Sequence, residues 1–441
     1  MPRATPRAAD RARAHRLLWR AGFGPRPGEA DRLATAGVAK SVATMLAPKG
    51  RALSGPPARI DGAPLDPINA YGHDVLWWLD RAVRTQHPLV ERMTFNWHDH
   101  FATSNNGVGD TRLMLAQYWT LRRGSLGKFR TLAKAITRDR AMQLWLSLAN
   151  SEKGAPNENF AREFLELFTL GVNNGYTEKD VREAARALTG FTFEWDTKRF
   201  GYDPKRHDDG VKRIMGRVGR FTPLDVVDIA IEHRSHAAFI CDKLWSYFSP
   251  RPCPPAFRRD LARIYRRADT DVRPVLREIL SNKLFYASLA EPDMVKPPFV
   301  YVAGMIRATG GRVDDEGWVG RLDQMGQVPF HPPNVSGWEG GTAWLSTSSI
   351  RARFDAATAV LYEKIKDGSI SAKETPEKAI AKAIEATGNP PFGPRTANAL
   401  HRYAVQSVKG RTDDWEVKHF FPERQRVLRH LLLAGPDAQV C

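Results

Sequence analysis

The sequence predicts a mainly α-helical globular protein with a small β excursion near residues 190–221. Three observations carry this reading. Apolar residues recur at helical period through most of the chain. One stretch, from FTFEW at 191–195 to KRIMGRVGRF at 212–221, instead combines β-branched and aromatic residues with Gly-rich turns, the pattern of two or three short strands. The composition, 42% hydrophobic and 26% charged, is that of a folded chain. At 441 residues the chain exceeds what one core serves, so two or three structural units are expected.

Taken in order, residues 1–60 hold 12 lysines and arginines against 3 acids, in a protein of net charge +17. Residues 1–14 are polar and Arg-rich without an apolar face, which predicts a basic flexible arm. A main helical domain is expected over 15–365 and a C-terminal helical extension over 366–441. Residues 28–47 read as two short helices broken at Ala36-Gly37, and 50–68 as a loop rich in Pro, Gly and Ala. Val75, Trp78, Leu79 and Ala82 mark a helix in 70–87. Another runs from Pro88, a residue suited to a first helical turn, through Phe101. Helices follow at 111–122, 127–148, 157–170 and 178–189. Beyond the β excursion they resume at 223–233, 235–248, 256–268, 272–283 and 295–309. Residues 326–347 are too rich in Pro, Gly and Trp for a regular helix and form a long loop. From about 349 the chain is helical again, with a polar break near 367–375.

Several function classes are excluded. No run of 18 apolar residues exists, so no integral membrane span is expected. No apolar signal region is present near Met1, which predicts a cytoplasmic protein. Cys241, Cys253 and Cys441 form no CxxC pair and indicate neither a zinc knuckle nor a disulfide framework. GxSxG, Walker, HExxH and GxGxxG motifs are absent.

Four polar constellations remain between Trp97 and Lys212, and a fifth lies in the 326–347 loop. In WHDHF at 97–101, His98 and His100 are two residues apart and point about 200° apart on a helix, so one of them serves a site or the helix ends at Asp99. In NENFAREFLELF at 157–168, Phe160, Phe164, Leu167 and Phe168 form an apolar stripe with Asn159, Glu163 and Glu166 along its border. Glu163, nearest the apolar edge, would have a raised pKa or need a cation. Glu158 and Arg162 read as a surface pair. Thr177 with Asp180 is a capping box, and Glu183 with Arg186 a structural pair. Arg206 to Lys212, RHDDGVK, gathers an imidazole, two carboxylates and an amine around a turn, either a hairpin with incidental charges or the completion of a site begun elsewhere. Phe330 to Trp338, with Trp344, reads as a loop plugged onto the core or as a stacking platform.

These segments together resemble a known family. RAGFGPRPGEADRL at 20–33, WHDHF at 97–101, KGAPNENFAREFLELFTLGVNNGYTEKDVREAARALTG at 153–190, HDDGVKRIMGR at 207–217, VVDIAIEH at 226–233, KLWSYF at 243–248 and PPNVSGW at 332–338 are similar to the bacterial family catalogued as domain of unknown function 1800. The likeness spans roughly residues 15–360. It implies a mainly helical fold and no established reaction or catalytic residue. It also implies a gene neighbour, a sulfatase-like protein carrying a twin-arginine export signal, as a candidate partner and a route of co-export. At Leu146-Ser147-Leu148 the chain departs from the family, which more often carries an Asp there.

The leading expectation is a metal-dependent hydrolase or related enzyme. His98, Glu163 and His207 would ligate a divalent transition metal (zinc, iron or manganese), with Glu166 or Asp208 as base or supporting carboxylate. The three ligands are expected to face one cavity within roughly 10 Å. One alternative is a non-catalytic binding or assembly factor for a partner protein. Another is nucleic-acid binding through the basic N-terminal arm.

Overall fold

The structure is a computed structural model that describes residues 7–194, 196–197, 199–361, 374–411 and 413–441. It is mainly helical, with two-stranded antiparallel sheets as the only strands among the described residues. The chain divides into two interleaved units. One comprises Met1–Arg92, Leu280–Pro329 and Glu339–Cys441; the other comprises Met93–Ile279 and Phe330–Trp338. The expected main domain over 15–365 is therefore shared between both, and the C-terminal helices belong to the first.

In the first unit, every residue of the helix Pro298–Ala308 is buried. Its sequence, PFVYVAGMIRA, carries one charged residue, and that residue ties the unit together. The Arg307 guanidinium donates to the carbonyls of Gly24, Ala82, Val83 and Thr85 and meets Glu29 at 3.2 Å. A buried cation tolerates such a position only when its donors are matched. Helices Glu29–Ala36 and Val38–Leu46 break at Gly37, whose φ of +82° suits glycine. Further on, Ala379, Ala383, Leu400, Ala404, Leu428 and Leu432 form a local core for the C-terminal helices. The helix Gly317–Gln324 was not among the segments expected from periodicity.

The N-terminal stretch differs from expectation. The helix Ala8–Arg20 begins inside the arm. Ala14, Leu17 and Leu18 are buried along it, Arg11 pairs with Asp31, and Arg20 with Asp293. The apolar face that begins at Ala14 extends the helix back toward Ala8, and its basic residues hold the fold. Residues 1–6 and most of the expected polar break, 367–373, lie outside the described residues.

The second unit is built from the C-terminal part of the helix Pro88–His100, further helices up to Val272–Ser281, and two hairpins. Phe191–Glu194 pairs with Arg199–Tyr202, and Lys212–Ile214 with Arg217–Gly219, where the β excursion was expected. The expected helix over 127–148 is two helices, Phe129–Thr137 and Arg140–Trp145, because Asp139 accepts the Met142 N–H and caps the second. Likewise 157–170 is an α-turn, Asn159–Glu163, continued as a π-helix, Phe164–Thr169. The wider i→i+5 winding buries Leu165 and leaves Leu167 half-buried, the reverse of what a 100° repeat gives.

Candidate functional site

The WHDH segment and the 330–338 loop form one structure inside the second unit. The helix carrying His98 is aromatic on its buried side, and Trp97 donates its indole N–H to Ser125 O at 3.0 Å. His98 is 1% exposed. Its Nε2 accepts the backbone N–H of Phe330 at 3.0 Å. Burial drives its pKa down to about 3, so the ring is neutral with an acceptor at Nε2. At the far end of the loop the Asp99 carboxylate accepts the Trp338 N–H at 2.9 Å. Trp338 stacks on Phe95 with centroids 5.6 Å apart and meets the His98 ring edge-on at 5.5 Å. Gly337 has φ +84°, and a Cβ there would lie 2.2 Å from Asp99 Oδ1, so only glycine lets the loop approach. Phe330 sits at φ +68°, a left-handed conformation an aromatic residue rarely adopts. Its N–H to His98 and its carbonyl, which accepts from Asn105 N at 2.8 Å, hold it there. Residues 330–338 are thus a strap pinned at both ends. His100 turns away from it, with Nε2 3.0 Å from Phe168 O.

Glu163 and Glu166 lie on the border expected for them. Arg162 gathers the acids around it: Glu178 at 2.8 Å, Glu158 at 3.1 Å and Glu166 at 3.5 Å. Glu163 is half-buried and makes no hydrogen bond among the described residues. Burial, reinforced by Glu166, raises its pKa.

The RHDDGVK segment is a clamp. Arg186 Nε donates to Asp208 Oδ2 at 2.7 Å and Nη2 to Oδ1 at 3.2 Å, while Nη1 reaches both Glu183 oxygens. This side-on pairing holds the Asp208 carboxyl below its usual range. Lys212, 1% exposed, donates its ammonium to the carbonyls of Asp208, Gly210 and Phe221. His207 places Nδ1 3.0 Å from Thr189 O. His98, Glu163 and His207 are not brought together as a metal-holding group; among the described residues no set of three or more His, Cys, Asp or Glu is so arranged.

A feature the sequence reading passed over lies at Arg138 and Arg140. Two open clefts, of about 470 and 530 Å³, share these arginines in their walls. The first adds Arg123 and Asp139, the second Gln143, Phe200 and Tyr202. Both guanidinium groups are exposed and form no hydrogen bond or ion pair among the described residues. Arg140 rests 5.5 Å from the Phe200 ring centroid. Asp139, the helix cap, also accepts from Gln117 Nε2 at 2.8 Å, and burial raises its pKa to about 6. The available signal was the TRDR run at 137–140, where an acid that caps a helix is flanked by two bases.

Among the described residues no helix is long and apolar enough to cross a membrane. Residues 16–440 match the family described as protein of unknown function (DUF1800), and the chain belongs to that family. The match runs through the C-terminal helices, beyond the 15–360 over which the likeness was read. No curated protein and no solved structure matches the chain.

Proposed function

We propose that this chain is a binding and assembly factor for a partner protein, and that it receives an acidic segment of that partner at the Arg138–Arg140 clefts. The observation that supports this is the contrast between two sets of polar groups. His98, Asp99, Asp208 and Lys212 are engaged in holding the unit together. Arg138 and Arg140 line open clefts, one of them beside Phe200 and Tyr202, and their guanidinium groups form no hydrogen bond or ion pair among the described residues. Arginine offers five N–H donors in a planar fork that pairs with carboxylates, and exposed aromatic faces beside it add apolar contact. The exported sulfatase-like protein that the family likeness implies as a gene neighbour is the first partner to test.

The experiment is fluorescence anisotropy with that partner and with a labelled peptide of alternating Glu and Tyr, against the wild type and R138E/R140E. Binding that weakens at least about tenfold in the variant, and falls with salt as a contact between exposed charges should, supports the reading. Equal affinity for both proteins refutes it. Tighter binding of a single-stranded oligonucleotide than of the peptide would move the clefts to nucleic-acid recognition.

A second reading, a hydrolase, rests on Glu163. A half-buried carboxylate whose pKa is raised by burial and by the neighbouring Glu166 is suited to hold a proton as a general acid.

A further inference from the structure

We propose that the unit made of Met1–Arg92, Leu280–Pro329 and Glu339–Cys441 holds a binding cavity for a small apolar carboxylic acid, whose carboxylate is received by Lys296 and His15. This site lies wholly within that unit and is independent of the Arg138–Arg140 clefts.

The cavity measures about 250 Å³, and its walls are chiefly apolar: Trp19, Met305, Pro391, Phe392 and Leu432. Gly304 lets the Trp19 ring lie against the helix Pro298–Ala308, since a Cβ there would be 2.2 Å from the indole. Of the polar side chains that line this space, His15 and Lys296 are the two whose hydrogen-bonding groups are least engaged among the described residues. His15 is 3% exposed, and neither ring nitrogen has a hydrogen-bond partner among the described residues. Leaving a buried polar atom unbonded is costly, and folded proteins leave few such atoms. Lys296 is 5% exposed. Its ammonium donates to Ala438 O at 2.7 Å and lies 3.9 Å from the Trp19 ring centroid. An ammonium has three N–H groups. Only one finds an oxygen acceptor among the described residues.

A carboxylate satisfies both side chains. One oxygen accepts from the Lys296 ammonium and the other from a His15 ring N–H, while its negative charge offsets a buried cation. The walls then require that the rest of the molecule be apolar. A dianion such as a phosphate fits less well. Arg16, the other cation lining the cavity, donates to the carbonyls of Phe285, Ala287 and Ser288. The Asp437 carboxylate also lines the cavity and would repel a second charge.

Burial, modified by the surrounding charges, sets the pH response. Burial lowers Lys296 to about 8, helped by Arg353 and opposed by Cys441 and Asp437. Burial lowers His15 to about 4, with Lys296 and Arg11 acting the same way and Asp31 opposing. At pH 7 the pair is therefore an ammonium beside a neutral imidazole. Above about pH 8 the ammonium is lost, and with it the attraction for an anion.

The test is calorimetric titration of the full chain with octanoate and with octan-1-ol, which share an apolar chain and differ in charge. Octanoate should bind one to one at pH 7, at least about tenfold more tightly than the alcohol. Lys296→Met should bring octanoate down to the level of the alcohol. Should that variant fail to fold, the wild type decides: octanoate affinity should fall between pH 7 and 9 while that of octan-1-ol stays constant. Equal binding of acid and alcohol, binding of neither, or a pH-independent preference overturns the proposal.

Discussion

The strap offers the sharpest test of how this fold uses its histidines. In His98→Ala the Phe330 N–H, buried at the start of the strap, loses its acceptor. A buried donor left unmatched costs about 1–3 kcal/mol. The ring also contacts Phe330 and Trp338, with centroids 5.8 and 5.5 Å away. Such aromatic pairs contribute roughly 0.5–1.5 kcal/mol each. These contributions share one side chain and do not add in full, so the docked strap should weaken by about 2–4 kcal/mol. At 1.4 kcal/mol per decade this is a roughly 30- to 700-fold rise in the opening equilibrium. Amide hydrogen exchange across 330–338 reads it directly, at Phe330 N–H and Trp338 N–H above all. His98→Gln should restore much of the protection, because a side-chain carbonyl can accept the same bond. Unchanged exchange in His98→Ala, or no difference between the Ala and Gln variants, would refute the pinning argument.

Acid should destabilise the protein in a defined window. His98 and His100 are lowered to about 3, and His15 and His236 to about 4, burial being the largest cause in each. Each is neutral in the fold and titrates near 6.5 when unfolded, so the contribution is complete above about pH 6.5 and declines as pH falls toward 3; urea midpoints at pH 7.5, 5.5 and 4.5 would show it. Glu163→Gln should change the melting free energy by no more than about 0.5 kcal/mol, and upward at neutral pH, because it removes a carboxylate disfavoured by burial and by Glu166. A large loss of stability would show that Glu163 has a structural role, and a loss of measured hydrolysis with the fold intact would advance the enzyme reading. Asp139→Ala should cost about 1 kcal/mol as a lost helix cap, whereas Asp139→Asn should cost little, since asparagine caps nearly as well; chemical denaturation of both variants separates capping from charge.

What the sequence discloses about the fold is what is written locally. The break at Ala36-Gly37, the capping box of Thr177 and Asp180, the pair of Glu183 and Arg186, and the two hairpins each depend on residues a few positions apart. Periodicity located most of the ordinary helices, though it missed Gly317–Gln324 and the first turns of Ala8–Arg20. It failed at Phe164–Thr169, where a fixed 100° step places Leu167 on the stripe and the i→i+5 winding substitutes Leu165. It also missed the end of the helix at Thr137, although Asp139 was a readable cap.

The candidate site was harder to read for a physical reason. A histidine next to an aspartate among aromatic residues looks the same whether it awaits a metal or an amide. Its partner decides, and for His98 that partner is Phe330, 232 residues along the chain. The same holds for His15 and Lys296, which sequence separation hides from each other and burial brings into one cavity. Residue types could nominate polar groups among apolar neighbours, because such groups need a compensating contact. They could not say which groups the fold itself compensates. The structure makes that division. The acceptor of His98 and the carboxylates of Asp99 and Asp208 are matched by the protein's own donors. Among the described residues the ring nitrogens of His15 are not, and the guanidinium groups of Arg138 and Arg140 are not. Groups without partners among the described residues are the ones open to another molecule; His15, Arg138 and Arg140 are such groups outside the constellations that the sequence singled out, and Glu163 is one within them.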